Sequence, residues 1–338
     1  MGYNIYNVYL KDTLEIKMKK KIAFIFPGQG SQKIGMGKDL FDNHKSGREV
    51  FEKINEALDE DLSDLIFNGN EKDLEKTRNT QPALLAVSMA IIKVLENELK
   101  INVEDFVEVV FGHSLGEYSA LSSINCLDLE SAAQILRIRG DAMQESVMNQ
   151  DTAMVAVIGL DIEKIENILL KIEPNEDDVC EIANDNCPGQ IILSGTKKAV
   201  EIVCEELKKV GARSIISLKV SAPFHCSLMN RASIKVQNAL ENFKIQEPKV
   251  KFINNVEANF VSDPKIIKKL LVDQVKSRVR WRESIQKALS LNLDCIVEIG
   301  SGKVLSGLNK RMGIKENYFN ISNFNDINNF IERFGENL

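Results

Sequence analysis

The chain reads as an α/β protein in which a small α+β unit interrupts a larger one, and three observations predict this. Short apolar runs at Ile22–Phe26, 107–111 and Cys295–Ile299 have the length of buried strands, and segments of helical period separate them. Each run breaks into a glycine-bearing loop: Pro27-Gly28-Gln29-Gly30-Ser31-Gln32, Gly112-His113-Ser114-Leu115-Gly116 and Gly300-Ser301-Gly302. Between residues 153 and 220 the pattern changes to β-α-β-β-α-β, the order of a ferredoxin-like unit. A length of 338 residues suits one large domain with such an insertion.

Taken in order, residues 1–17 are polar and without a period, and are expected either as a loose tail or as residues upstream of a true start at Met18. Lys19-Lys20-Lys21 followed by the Ile22–Phe26 run mimics a signal peptide, but the apolar part is too short and Pro27-Gly28 ends it, so it is expected as a first buried strand. The glycine loop after it lacks the Gly-Lys-Ser/Thr ending of a P-loop. Its backbone N–H groups could instead face a site. Residues 40–58 are expected as one helix with His44 at its surface, and Pro82 is expected to start an apolar core helix over 83–99. The strand at 107–111 runs through the second glycine loop into a helix, and another helix covers 129–147. In the inserted unit, strands are expected at 153–158, 179–183, 190–193 and 214–220, and helices at 162–172 and 197–210. The larger unit resumes with a strand at 251–254, helices at 266–275 and 282–291, the Cys295–Ile299 strand and a helix carrying Lys310 and Arg311. The division is therefore 1–17, then 18–150 with 221–338, and 151–220 as the insertion.

Composition excludes several classes. Hydrophobic residues at 44% and charged residues at 27% are ordinary for a soluble globular chain. A net charge of −6 argues against a dedicated nucleic-acid binder. No apolar run is long enough to span a bilayer. The six cysteines form no C-x-x-C pair, and only three histidines could join them around a metal, so they are expected as free thiols of a cytosolic protein.

Strand, Gly112-His113-Ser114-Leu115-Gly116, helix is the context of a nucleophile elbow: glycines permit the tight turn, the serine oxygen stands clear, and the helix N-terminus favours developing negative charge. The same five-residue pattern also arises by chance, so the serine needs a partner. A serine nucleophile requires a base. His113 points to the opposite strand face and is expected to be structural; His44 belongs to a polar helix. His225, in a loop after the insertion, is the candidate base by elimination.

These residues carry a resemblance to the bacterial malonyl-CoA:acyl carrier protein transacylases. The matching blocks are FPGQGSQ at 26–32, NTQPALLA at 79–86, GHSLGEYSAL at 112–121, Arg139-Gly140 with Met143-Gln144, SAPFHCSLM at 221–229 and EIGSGKVLSGLNKR at 298–311. They run in family order from Lys20 to about Phe330. The resemblance implies a hydrolase-like parallel-sheet core with an inserted ferredoxin-like subdomain. It implies Ser114 as nucleophile, His225 as base, the N–H groups of Gln29 and Leu115 as oxyanion hole, and Arg139 as binder of a substrate carboxylate. A backbone carbonyl at Gln274 would orient the base, and Asn186 would line the pocket. By analogy Phe224 would narrow it. Implied partners are malonyl-CoA and acyl carrier protein, with no nucleic acid, membrane, metal or bound cofactor, in a cytoplasmic monomer. Ser301 stands where many relatives have proline, and Arg278-Val279-Arg280-Trp281-Arg282 is more basic than usual. With Lys276, this row is expected either as a docking patch for an acidic carrier or as a solvated charged face, and Lys310 and Arg311 are further candidates for the patch. A serine esterase or thioesterase, a non-catalytic carrier-docking module, and an acyltransferase of a polyketide pathway are the competing readings. Arg139 argues against the esterase, which has no need of a carboxylate clamp. Arg137, two residues away, should face another side of its helix.

Overall fold

The computed structural model describes residues 20–147, 150–172, 178–314 and 317–338, so the proposed tail at 1–17 lies outside the described residues. Two sheets organise the chain. The larger is built from β1 (Ile22–Phe26), β2 (Val107–Gly112), β7 (Lys251–Phe252), β8 (Cys295–Ile299) and β9 (Asn317–Ile321), in the order β7-β2-β1-β8-β9, with every pairing parallel. The smaller contains β3 (Thr152–Ile158), β4 (Cys180–Cys187), β5 (Gln190–Thr196) and β6 (Ser214–Ser217), antiparallel throughout in the order β4-β5-β3-β6.

The apolar runs form central strands because both faces of the large sheet are covered. Side chains alternate along β1: Ile22, Phe24 and Phe26 enter the main core, while Ala23 and Ile25 face a second cluster around Phe111, Trp281 and Ile285. A third cluster, including Val155, Val157, Ile191, Leu193 and Leu207, fills the small sheet and its helices. Phe26 pairs with Gly112 at the carboxyl ends of β1 and β2, so the two glycine loops leave the sheet side by side. Ligands of open parallel sheets bind at such strand ends.

Several expected elements have different bounds. The single helix over 40–58 is two, Lys38–Asn43 and Lys45–Leu58. His44 between them is extended (φ −128°, ψ 118°). Arg48 of the second helix donates to the Phe41 and Asp42 carbonyls at the end of the first, which satisfies groups the break leaves open. His44 stacks on Phe324 at 3.9 Å between ring centroids and is no simple surface residue. The core helix starts at Thr77, and Pro82 lies inside it. Proline lacks the N–H that would bond the Arg78 carbonyl. Arg137 Nη1 donates to that carbonyl instead, at 2.7 Å. Asp263 caps Pro264–Gln274, so that helix starts two residues before the expected 266. Helices Leu62–Asn68, Asn230–Glu241 and Phe324–Phe334 and strand β9 were not anticipated. The last helix is legible afterwards in Ile327, Phe330 and Phe334, a buried stripe diluted by asparagines.

Candidate active site

The elbow is tight in the way its glycines require. A Cβ on Gly112 would lie 2.0 Å from the Gly116 carbonyl carbon, and one on Gly116 would lie 2.3 Å from the Phe26 carbonyl oxygen. Ser114 between them has φ +54°, a left-handed conformation that costs a non-glycine residue about 1–3 kcal/mol. The turn exposes Ser114 Oγ at the mouth of the sheet. Leu115 follows as the cap of helix Gly116–Ser123. Among the described residues the backbone N–H groups of Leu115 and Gln29 have no protein partner, and both residues line the same cavity as Ser114. Two unpaired donors beside a nucleophile form the arrangement that receives a developing oxyanion.

His225 also has a positive φ, +59°, and its Nε2 lies 2.8 Å from Ser114 Oγ. Its Nδ1 lies 2.8 Å from the Gln274 carbonyl oxygen, which can only accept. Nδ1 therefore carries the proton, and Nε2 is left bare towards the serine hydroxyl. Burial, and then the nearby Arg139 charge, push the imidazole pKa down to about 3, so the ring is neutral and ready to take a proton. Among the described residues no carboxylate holds the imidazole: the pair is a Ser–His dyad braced by a carbonyl.

Arg139 lies 1% exposed beneath this pair. Its Nη1 donates to Gln81 Oε1 at 2.6 Å, and its Nη2 donates to Gln274 Oε1 at 2.9 Å and to Ser114 Oγ at 3.0 Å. Among the described residues its Nε has no partner. All the direct partners are neutral oxygens, so a buried cation stands beside the nucleophile without a carboxylate in contact. Gln274 thus acts twice, through its carbonyl on His225 and its side chain on Arg139. Its Nε2 in turn donates to the Ser114 carbonyl and to Glu117 Oε2, each at 2.8 Å. The sequence reading missed Gln81, Glu117 and Asn255. Gln81 and Glu117 stand inside the quoted motif blocks, but no spacing rule assigns them a partner across the fold.

Other predicted residues sit elsewhere. Asn186 is a correction: it does not line the cavity, and its Oδ1 pairs with His113 Nε2 at 2.9 Å. Asn184, two residues earlier on β4, takes the wall position, because irregular pairing of β4 with β5 disturbs simple alternation. His113 makes no bond to Ser114, as expected, yet its half-buried ring is part of the cavity wall rather than hidden beneath the elbow. Phe224 lines the cavity. Arg137 faces away, binding Glu60, the Asn79 side chain and the Arg78 carbonyl. The expected docking row is turned inward on acidic partners: Arg278 pairs with Glu166 and Glu283, Arg280 with Glu283, and Arg282 with the fully buried Asp185. Lys276 bonds Asn230, and Arg311 bonds Gln190. The cavity itself is about 410 Å³ and lies between the sheets, with Met154 and Leu218 contributed from the smaller unit and Lys219 exposed at the rim. Among the described residues no helix is long and apolar enough to cross a membrane.

The acyl transferase domain family matches residues 23–313. The malonyl CoA-acyl carrier protein transacylase of Bacillus subtilis is 42% identical over 293 residues, covering 86% of this chain and 90% of that protein. The Haemophilus influenzae protein of the same name is 41% identical, covering 87% and 92%. The acyl-carrier-protein S-malonyltransferase structure from Bartonella henselae superposes with a TM-score of 0.88 at 45% identity, covering 93% of this chain and 99% of that one. A malonyl-transacylase solved in complex with a type II PKS acyl-carrier protein superposes at 0.87 with 34% identity, covering 93% and 99%.

Proposed function

The chain belongs to the acyl transferase domain family, and from that premise we propose that it moves a malonyl group from malonyl-CoA to the phosphopantetheine thiol of acyl carrier protein, for fatty acid synthesis. The observation that carries this reading is Arg139: a buried guanidinium, in contact with the nucleophile and held only by neutral oxygens, is a socket for a carboxylate on the acyl group. Burying the malonyl carboxylate without such a partner would be costly.

The steps follow from the groups in place. Ser114 Oγ attacks the thioester carbonyl while His225 Nε2 takes its proton. The carbonyl oxygen becomes an oxyanion facing the N–H groups of Gln29 and Leu115, donors that need no reorganisation. The C–S bond breaks, the imidazolium returns its proton to the CoA sulfur, and a malonyl-serine ester remains. The carrier thiol then gives its proton to His225, attacks the ester and regenerates the serine by the same path reversed. Side chains, backbone N–H groups and the activated thioester supply every function, so the reading calls for no metal or bound cofactor. All the groups come from one chain, and we take the working enzyme to be a cytoplasmic monomer.

The discriminating experiment is intact-protein mass spectrometry after brief exposure to malonyl-CoA. The expected result is one malonyl group on Ser114, discharged by added holo-carrier protein and absent in Ser114→Ala. An adduct on another residue, or an ester that water removes as fast as carrier does, would sink the transferase reading in favour of a hydrolase.

A further inference from the structure

On the reading that Ser114 is the acylated nucleophile, we propose that Asn255 is a positioning residue for the acylation step. Its side chain spans the elbow. Oδ1 accepts the Ser114 N–H at 2.8 Å, and Nδ2 donates to the Gly112 carbonyl at 2.7 Å. One planar amide therefore clamps the backbone on both sides of the strained turn, because it carries an acceptor and a donor side by side. The clamp is itself held. The Asn255 backbone N–H donates to Glu117 Oε1, and the Asn255 carbonyl accepts from the Arg280 N–H at 3.1 Å. Asn255 and Glu117 are buried, at 0% and 1% exposure, so neither has water as a substitute partner.

Glu117 ties this clamp to the rest of the site. Its second oxygen accepts Gln274 Nε2, which orients that amide with its oxygen towards Arg139. Both carboxylate oxygens accept N–H groups. Burial pushes the Glu117 carboxyl up to about 8, and the two N–H donors oppose that shift. The group thus anchors two donors while remaining out of contact with the guanidinium, which stays available to a substrate acid. Asn255 does not itself line the cavity. Its effect on the chemistry passes through the angle at which Ser114 Oγ meets His225.

Single-turnover acylation by malonyl-CoA, read by quenched intact mass, tests the proposal alongside a steady-state kcat and KM split. Asn255→Ala is expected to slow acylation on the order of 10²-fold, the scale of a 1 Å misplacement, with KM for malonyl-CoA changed little. Asn255→Asp differs from the native residue by one group and gives the sharper result. In that variant an ionised carboxylate accepts the Ser114 N–H but opposes the Gly112 carbonyl, whereas a protonated one donates to it as asparagine does. Below pH 7, clear of the buried Glu117 carboxyl that titrates at about 8, acylation by Asn255→Asp is therefore expected to recover towards the wild-type rate as pH is lowered, while the wild type, whose base stays neutral down to about 3, does not gain. An acylation rate unchanged in Asn255→Ala, or an Asn255→Asp profile parallel to wild type, would overturn the clamp. Absence of any serine adduct in the wild type would instead overturn the function on which the clamp rests.

Discussion

Arg139 shows how little of a residue's role is its charge alone. Two amide oxygens and a serine hydroxyl hold it, and none neutralises it. Arg139→Ala is expected to lower kcat/KM for malonyl-CoA on the order of 10²- to 10³-fold, the loss of two charge-assisted hydrogen bonds, while acetyl transfer is spared or rises. Arg139→Lys should recover only part, since a point charge cannot make the parallel pair. Equal loss of both activities would assign Arg139 to the fold or to CoA. His225 makes a second prediction. A neutral base is required, and burial holds the folded pKa at about 3. The acid limb of kcat/KM should therefore lie well below 6.5. Its effect on stability has a definite sign: below pH 6.5 an unfolded His225 gains a proton that the folded one refuses until about 3. Its contribution is present above 6.5 and declines as pH falls between those values. Thermal unfolding against pH in wild type and His225→Gln measures it, and identical slopes would exclude the effect.

At the scale of elements, the crossing of helices Leu129–Glu145 and Thr77–Leu99 sets where Arg139 points. Gly140 permits that crossing: a Cβ there would sit 2.6 Å from Arg78 Cα and 2.8 Å from the Thr77 carbonyl oxygen, both backbone atoms. The same contact lets Arg137 reach the carbonyl that Pro82 leaves open. Gly140→Ala should destabilise by about 1–3 kcal/mol through overpacking and lower malonyl transfer together with stability, because Arg139 is the adjacent residue. Denaturant unfolding and kcat/KM on one preparation check this. Lost stability with intact kinetics would mean that the crossing does not place the guanidinium.

Across the whole molecule, the substrate arm has to enter between the two sheets, past Lys219. Among the described residues that side chain has no acidic partner, while Arg278, Arg280 and Arg282 are already paired. CoA and a carrier's phosphopantetheine arm both bring phosphate to the rim. Lys219→Glu should raise KM for both substrates with kcat nearly unchanged, by an amount that shrinks as salt rises. Arg278→Glu should alter KM for either substrate less, since its partner is Glu166. A larger effect at Arg278 than at Lys219 would restore the docking row that the linear sequence suggests.

The sequence by itself determined the sheet-forming runs, the elbow, the order of the inserted unit and, through its motif blocks, Ser114, His225 and Arg139. These are legible because apolar runs and glycine turns are local, and because motif residues keep their spacing. Only the tertiary structure decided that Asn184 rather than Asn186 faces the cavity, that the arginine row is neutralised by Glu166, Glu283 and Asp185, and that Gln81, Glu117 and Asn255 converge on the site. Those facts depend on contacts between residues as far apart as Ser114 and Asn255, and on one irregular strand pairing. No periodicity or local propensity encodes which distant side chain will satisfy a buried backbone group; packing chooses it, because a buried donor or acceptor left alone costs more than the ordering needed to pair it.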